Sequence, residues 1–119
     1  PYHCHCYTTW RLLREALGRS PETMQISFQS RFGPEEWLQP YTDKTVEALA
    51  QKGIKKLAIL APGFSSDCLE TLEELDGENR EIFMHHGGEH FTYIPCLNAS
   101  DEGMDVIETI MARELMGWI

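Results

Sequence analysis

Three acidic side chains at regular spacing follow an apolar run and could carry out acid–base or metal chemistry. Asp67, Glu70 and Glu74 come shortly after the Pro-Gly turn at residues 62–63. Ser66 or Asp67 can cap a helix there, and the spacing of Asp67 to Glu70 is that of a capping box. Because residues four apart share one side of a helix, the pattern predicts that Glu70 and Glu74 point the same way.

The same carboxylate pair also has a purely structural interpretation. Most acidic pairs at this spacing lie on a solvated helix face, and Leu69, Leu72 and Leu75 recur at a spacing that predicts the buried side of the same helix. In α/β proteins, however, ligands bind beyond the carboxyl ends of the strands. The pair lies one turn into a helix that starts at such an end, which favours a functional role.

Length and charge limit the kind of protein. The chain has 119 residues and a formal charge of -9, with 19 acidic and 10 basic residues. We therefore expect one domain spanning residues 1–119 and no nucleic-acid partner. The longest apolar run, at residues 57–62, is far shorter than the roughly 20 residues of a membrane span, and no signal peptide precedes it. These features predict a cytoplasmic protein without a transmembrane segment.

The four cysteines favour reduced thiols over a disulfide framework. Cys4, Cys6, Cys68 and Cys96 contain no C-x-x-C pair. The segment Pro1–Cys6 does bring together two histidines and two cysteines. It matches no structural-zinc spacing, and a metal site there stays open as an alternative.

Hydrophobic periodicity and turn residues predict an alternation of helices and strands. Helices are expected over residues 4–17 before Gly18, from Thr42 or Asp43 to Gly53, from the Asp67 cap toward Gly87, and from Ser100 or Asp101 onward. Strands are expected at residues 24–28, 56–60 and 91–94. This order predicts an α/β fold: a three-stranded parallel sheet with helices on both faces, which makes three layers.

Distinctive side chains follow each predicted strand, in loops that should open on one edge of the sheet. Aromatic and acidic groups would meet there, which suits a flat aromatic ligand with a cationic or metal component. Trp37 and Phe64 have an alternative interpretation, packing beneath loops. The residues expected around this cleft are Arg31, Trp37, Tyr41, Phe64, Asp67, Glu70, Glu74 and Asn98.

Four sequence motifs together resemble one enzyme family. They are Ser27-Phe-Gln-Ser-Arg-Phe-Gly33, Glu36-Trp-Leu-Gln-Pro-Tyr-Thr42, the stretch from Pro62 to Glu74, and Tyr93-Ile-Pro-Cys-Leu-Asn98. In this order and spacing they resemble the C-terminal half of ferrochelatase, in the form found in Gram-negative bacteria. Ferrochelatase inserts ferrous iron into protoporphyrin to make haem.

The resemblance implies a fold and a partner. Ferrochelatases have two similar α/β lobes facing each other across a porphyrin cleft, and this chain resembles one lobe of that chelatase-like fold. The family's catalytic histidine lies in a Ser-x-His-Gly-x-Pro motif upstream of the matched region, and neither His3 nor His5 matches it. The missing N-terminal lobe is therefore an expected partner, and the chain alone is expected to be inactive.

The resemblance also assigns site residues. The expected catalytic residues are Glu70, Glu74 and Asp67. Glu70 matches the family's essential acid and is the expected metal-contacting group, Glu74 matches the next carboxylate in a row, and Asp67 matches an acid at the helix start. Cys68 replaces a histidine found in some relatives, so the resemblance supports no metal-ligand role there. The expected porphyrin-binding residues are Phe28, Gln29, Ser30, Arg31 and Trp37, joined by Tyr41 and Phe64 from the cleft argument.

The resemblance implies no required cofactor, with Fe²⁺ and protoporphyrin as substrates. Some ferrochelatases hold an iron–sulfur cluster through cysteines in a C-terminal extension, which is not the pattern here because no cysteine follows Cys96. Two alternatives stay open: a non-catalytic tetrapyrrole- or metal-binding module, and a chelatase for another tetrapyrrole. Apolar surface left uncovered without the other lobe predicts self-association into a homo-oligomer.

Overall fold

A computed structural model describes residues 1–29 and 33–118 of the chain, with a small parallel sheet flanked by helices. Helix α1 spans Tyr2–Ala16 and helix α2 spans Thr42–Gln51, followed by strand β1 at Lys56–Leu60. A π-helix at Glu70–Glu78 continues directly into helix α3 at Asn79–His85. Strand β2 at His90–Ile94 and helix α4 at Asp101–Glu114 complete the order.

Strands β1 and β2 pair in parallel, which confirms the α/β class. Their register places Lys56 opposite His90 and Leu60 opposite Ile94. The prediction of a strand at residues 24–28 is wrong for the described part of the chain, where the sheet has two strands. Phe28 instead makes an isolated parallel bridge to Tyr41. In this bridge the Phe28 N–H donates to the Pro40 oxygen, and the Phe28 oxygen accepts a bond from the Thr42 N–H.

The hydrophobic core lies between the sheet and the α2, π-helix and α3 segments. It consists of Val46 and Ala50 from α2, Leu75 from the π-helix, Phe83 from α3, and Phe91 and Tyr93 from β2. Phe83 is fully buried, and a Cβ added to Gly88 would lie 2.2 Å from its ring, so only glycine fits at that turn. The core therefore fixes the carboxylate-bearing helix against the sheet.

The helix that carries the carboxylates is wound differently from the prediction. Its first nine residues form a π-helix, in which backbone bonds run from residue i to i+5 and the turn is wider than in an α-helix. The side chain of Asn79 supports the end of this segment, since its Nδ2 donates to the backbone oxygen of Glu74 at 2.8 Å. π-Helical segments are rare and are frequently found at functional sites.

This winding overturns the predicted buried stripe. Leu75 is buried as expected, but Leu69 and Leu72 are 71% and 52% exposed. The buried positions recur every four residues instead, at Thr71, Leu75, Asn79 and Phe83. Residues four apart share one side of a helix, so the buried side is set by these positions and not by the spacing of Leu69, Leu72 and Leu75.

The predicted helix ends are correct at some termini and wrong at others. Gly18 follows α1 with a φ of 62°, and Ser100 caps α4 by accepting a hydrogen bond from the Gly103 N–H at 3.1 Å. The cap of α2 is Tyr41 rather than Thr42 or Asp43. The Thr42 N–H donates to the Phe28 backbone oxygen, and this hydrogen bond to the loop fixes the position at which α2 begins.

Candidate active site

Asp67 lies at the centre of a hydrogen-bond network that joins the ends of both strands. Its Oδ1 accepts hydrogen bonds from the Tyr93 hydroxyl and the Thr71 hydroxyl, both at 2.9 Å. Its Oδ2 accepts a third bond, from the Asn98 side-chain amide at 2.9 Å. Asp67 belongs to the loop after β1, Tyr93 to β2 and Thr71 to the π-helix, so one carboxylate connects three elements.

These bonds stabilise the ionised form of Asp67. The bond from Asn98, with further bonds from Tyr93 and Thr71, lowers the pKa of the Asp67 carboxyl far below its ordinary value. Both carboxylate oxygens already accept protein hydrogen bonds. Asp67 therefore holds a fixed negative charge and is poorly suited to taking up a proton at neutral pH.

Asn98 also forms hydrogen bonds with the backbone of the loop that contains Asp67. Its Oδ1 accepts a bond from the Asp67 N–H at 2.8 Å, and its own N–H donates to the Ser65 oxygen at 3.0 Å. Its φ of 53° lies in the left-handed region, which asparagine tolerates better than most residues. The prediction that Asp67 and Asn98 meet at one edge is confirmed by these contacts.

Tyr93 and Cys96 form the buried side of this network. The Tyr93 hydroxyl lies 3.4 Å from the Cys96 sulfur. Burial, together with the contact to Cys96, raises the pKa of the Tyr93 phenol, and burial raises the pKa of the Cys96 thiol. Both groups therefore stay protonated at neutral pH, and Tyr93 acts as a hydrogen-bond donor to Asp67.

A second chain of hydrogen bonds ties Glu74 to the loop before α2. The Gln29 side-chain amide donates to Glu74 Oε2 at 2.5 Å, and the Trp37 indole N–H donates to the Gln29 backbone oxygen at 3.1 Å. Three residues that the sequence predicted for the site are thus connected in space. Trp37 remains 37% exposed, so its ring is accessible at the surface.

Glu70 lies on the exposed side of the π-helix, between Asp67 and Glu74 along the chain. The four-residue spacing continues to Glu78, which is also exposed. This acidic row lies next to the buried residues Thr71, Leu75 and Asn79, which recur at the same spacing. The arrangement offers successive carboxylates along one side of a wide helix.

The aromatic residues expected to line the site have different environments. Phe28 is buried and stacks on the His3 ring at a centroid distance of 5.6 Å. Tyr41 lines an open groove of about 450 Å³ with Lys44 of α2 and Lys52, which follows the helix. Phe64 is half-buried in the turn after β1, where its N–H donates to the Ala61 oxygen. The predicted contacts Ser30 and Arg31 lie outside the described residues.

The N-terminal His and Cys residues lie on helix α1. Cys4 and Cys6 are two residues apart in this helix and so do not face each other. All four cysteines are free thiols. Within residues 1–29 and 33–118, no group of three or more His, Cys, Asp or Glu side chains is arranged to hold a metal ion. Over the same ranges, no helix combines the length and apolar character needed to cross a membrane.

Sequence reasoning did not identify Thr71, Tyr93, Cys96 or Glu78 as parts of this region. For Tyr93 a signal was available, because a tyrosine at an inward position of a buried strand needs a partner for its hydroxyl. For Thr71 and Glu78 the signal was the strict four-residue spacing along the π-helix. For Cys96 the sequence offers no comparable signal.

Comparison of the sequence with known proteins identifies its relatives. The ferrochelatase family model matches residues 1–115. Over all 119 residues, the chain is 68% identical to the ferrochelatase of Agrobacterium fabrum and 60% identical to that of Rhizobium meliloti, with 35% of each relative covered. It is also 60% identical to the ferrochelatase of Rhodopseudomonas palustris, with 34% covered. The chain thus spans about a third of the length of these curated relatives.

Proposed function

Since the chain belongs to the ferrochelatase family, we propose that it forms the carboxylate-bearing lobe of an enzyme that inserts ferrous iron into protoporphyrin in haem biosynthesis. The observation that carries this proposal is the row of acids on the π-helix, in a chain matched by the family model over residues 1–115. Activity would require the part of the protein that this chain does not span.

Metal insertion requires a base near the macrocycle. Two pyrrole N–H bonds break, Fe²⁺ binds the four porphyrin nitrogens, and two protons leave the site. We assign Glu70 as the group that contacts the metal ion and receives a proton, because it lies on the accessible side of the π-helix. Glu74 follows one turn later and continues the path by which protons leave or the hard cation arrives.

The porphyrin would lie against the loop that Gln29 and Trp37 belong to. Gln29 connects this loop directly to Glu74, so a macrocycle bound there would lie beside the acidic row. Trp37 offers an exposed aromatic surface for stacking. We also retain Phe28, Ser30, Arg31, Tyr41 and Phe64 as proposed substrate contacts.

Asp67 is better explained as a positioning residue than as a catalytic acid. Its carboxylate accepts three hydrogen bonds, and these bonds keep it ionised. Glu70 lies three residues after Asp67. The hydrogen bonds to Asp67 therefore fix the start of the π-helix and the position of Glu70. The proposed catalytic groups are therefore Glu70 and Glu74, with Asp67 holding their helix in place.

The proposal also includes a sheet with more strands than the two described here. Parallel sheets are almost always covered on both faces, and two strands alone are marginally stable. We propose that in the whole protein the sheet is broader and forms a three-layer lobe facing a second lobe. The proposal includes a cytoplasmic location, Fe²⁺ as a substrate and no resident cofactor.

A chimeric enzyme tests the proposal. In it, the matched segment of the Agrobacterium fabrum ferrochelatase is replaced by this chain, with the numbering kept. We expect the chimera to insert Zn²⁺ into a soluble porphyrin, followed by fluorescence, and the isolated chain to show no insertion. Porphyrin binding by the isolated chain without insertion fits a lobe. An inactive chimera that is folded and binds porphyrin would favour the non-catalytic module, and preference for another tetrapyrrole would favour a different chelatase.

A further inference from the structure

Asn79 places a polar side chain in the buried row of the π-helix and α3. It is 3% exposed and shares this row with Thr71, Leu75 and Phe83. Leu75 and Phe83 pack in the hydrophobic core. Because burying a polar group destabilises a fold unless hydrogen bonds compensate, the bonds that Asn79 makes indicate why an amide occupies this position.

Two donors of Asn79 converge on the backbone oxygen of Glu74. The side-chain Nδ2 donates to this oxygen at 2.8 Å, and the backbone N–H of Asn79 donates to the oxygens of Glu74 and Asp76. The backbone bond to Glu74 spans five residues, which is the π-helical pattern, whereas an α-helix would direct the same N–H to Leu75. The side chain therefore adds a second bond to the carbonyl that distinguishes the two windings.

The other polar atom of the Asn79 side chain makes no comparable contact. A carbonyl oxygen only accepts hydrogen bonds, so the atom that faces Glu74 is Nδ2 and not Oδ1. Oδ1 is buried and has no hydrogen-bond partner among residues 1–29 and 33–118. A buried acceptor without a partner destabilises the fold. The amide is therefore better explained by its bond to Glu74 than by a gain in overall stability.

The winding at this point sets the direction of the acidic row. Thr71 anchors the start of the π-helix and Asn79 anchors its end, so Glu70 and Glu74 lie between two fixed points. The angle between successive side chains differs between π- and α-winding. A return to α-winding would therefore turn Glu74 relative to Glu70 and away from Gln29, whose amide donates to Glu74 Oε2 at 2.5 Å.

We propose that Asn79 is a positioning residue for metal insertion, whose amide holds the Glu74 backbone oxygen and thereby fixes the π-winding that sets Glu74 relative to Glu70. Asn79 acts through Glu74 and takes no proton itself. The proposal rests on the proposed function, in which Glu74 continues the path from Glu70. It adds a residue outside the acidic row on which the geometry of that row depends.

Asn79→Leu in the chimeric enzyme tests this role. Leucine keeps a branched shape and removes both the donor to Glu74 and the unpartnered acceptor. We expect the turnover number for Zn²⁺ insertion to fall about 10–100-fold, because a misplacement of about 1 Å can lower a rate 10²-fold. The KM for the porphyrin should change less than about twofold. A turnover number equal to that of the unmodified chimera would overturn the proposal.

Stability separates positioning from a merely structural role. Since Asn79→Leu also removes the unpartnered buried oxygen, its thermal unfolding midpoint should equal or exceed that of the unmodified chimera. Loss of turnover that only accompanies a lower midpoint and a reduced folded fraction would overturn the proposal. Asn79→Ala is the second variant, in case leucine does not fit, and its folded fraction should show the same loss of turnover.

Crystal structures of the chimera and its variants give a measurement that does not depend on activity. In Asn79→Leu the N–H of residue 79 should bond to the Leu75 oxygen instead of the Glu74 oxygen, and the Gln29 amide should lose its contact with Glu74. Unchanged winding would overturn the proposal even if turnover fell.

Leu75→Met is the matched control for the buried row. It conserves volume and leaves the bond from Asn79 to Glu74 in place, so winding and turnover should both stay as in the unmodified chimera. An equal loss of turnover in Leu75→Met would show that any change in the row has this effect, and would overturn the assignment to Asn79.

The positioning role and the proposed function can fail separately. Altered winding in Asn79→Leu with unchanged turnover would reject the positioning role and leave the proposed function intact. Full turnover in Glu70→Gln would reject the catalytic role of Glu70, and the crystal structures would still decide whether Asn79 sets the winding.

Discussion

At the scale of single residues, the carboxylate of Asp67 connects the loop after β1 to β2 and to the π-helix. Three hydrogen bonds from Tyr93, Thr71 and Asn98 converge on its two oxygens. The sequence suggested an acid at the helix start but could not show this convergence, because Tyr93 is 26 residues and Asn98 is 31 residues away along the chain. Only the parallel pairing of β1 and β2 brings them together.

Asp67→Asn should destabilise the 119-residue chain at neutral pH. The new amide would place a donor against the Asn98 donor, and the charge-assisted bonds would be weakened. Urea unfolding should show a lower midpoint for this variant than for the natural chain. Asp105→Asn, on the exposed surface of α4, serves as the control and should leave the midpoint unchanged.

The difference in stability between the natural chain and Asp67→Asn should depend on pH. The pKa of Asp67 is lowered in the folded chain, so its contribution to stability is complete above the ordinary aspartate pKa of about 3.9 and is lost as the pH falls through the folded value. The gap between the natural chain and Asp67→Asn should be constant at neutral pH and narrow only below about pH 4. A gap that narrows already near pH 6 would contradict this assignment.

At the scale of elements, the sequence predicted most helices and strands but not the winding of the helix that carries the site. Strands β1 and β2 and helices α2 and α4 follow directly from apolar runs and turn residues. The π-helix could not be predicted from the α-helical spacing of Leu69, Leu72 and Leu75. The wide turn includes two buried polar side chains, Thr71 and Asn79, which bond to the Asp67 carboxylate and to the Glu74 backbone oxygen.

Packing at the start of α4 gives a test at this scale. In Gly103→Ala the added methyl group would meet the Asn98 oxygen at 2.7 Å, so the loop must shift. We expect the Asp67 amide, which Asn98 protects, to exchange about tenfold faster or more, as overpacking of about 1–3 kcal/mol implies. NMR-detected hydrogen exchange on the isolated chain measures this rate.

Gly77→Ala is the matched control for this packing. Its added methyl would lie 3.6 Å from the Leu72 oxygen, an ordinary contact. Removing a glycine from a helical segment should then stabilise the chain slightly, by up to about 1 kcal/mol. Unchanged exchange of the Asp67 amide in Gly103→Ala would show that the loop accommodates the methyl without cost.

At the scale of the whole molecule, the described residues form a narrow parallel sheet flanked by helices. The sheet has two strands rather than the predicted three, and the residues at 24–28 pair within their own loop. Sequence pattern alone could not reveal this, because alternation reports which side chains face inward and not whether a neighbouring strand is present.

We propose that Glu70 is required for metal insertion. In the chimeric enzyme, Glu70→Gln should lower the turnover number for Zn²⁺ insertion by about 10²–10⁴-fold, the usual contribution of a general acid or base. Porphyrin binding, measured by fluorescence, should persist because the side-chain shape is kept. Glu73→Gln, a neighbouring exposed acid on the same π-helix, should leave turnover near that of the unmodified chimera. Undiminished turnover in Glu70→Gln, or an equal loss in Glu73→Gln, would contradict a catalytic role for Glu70.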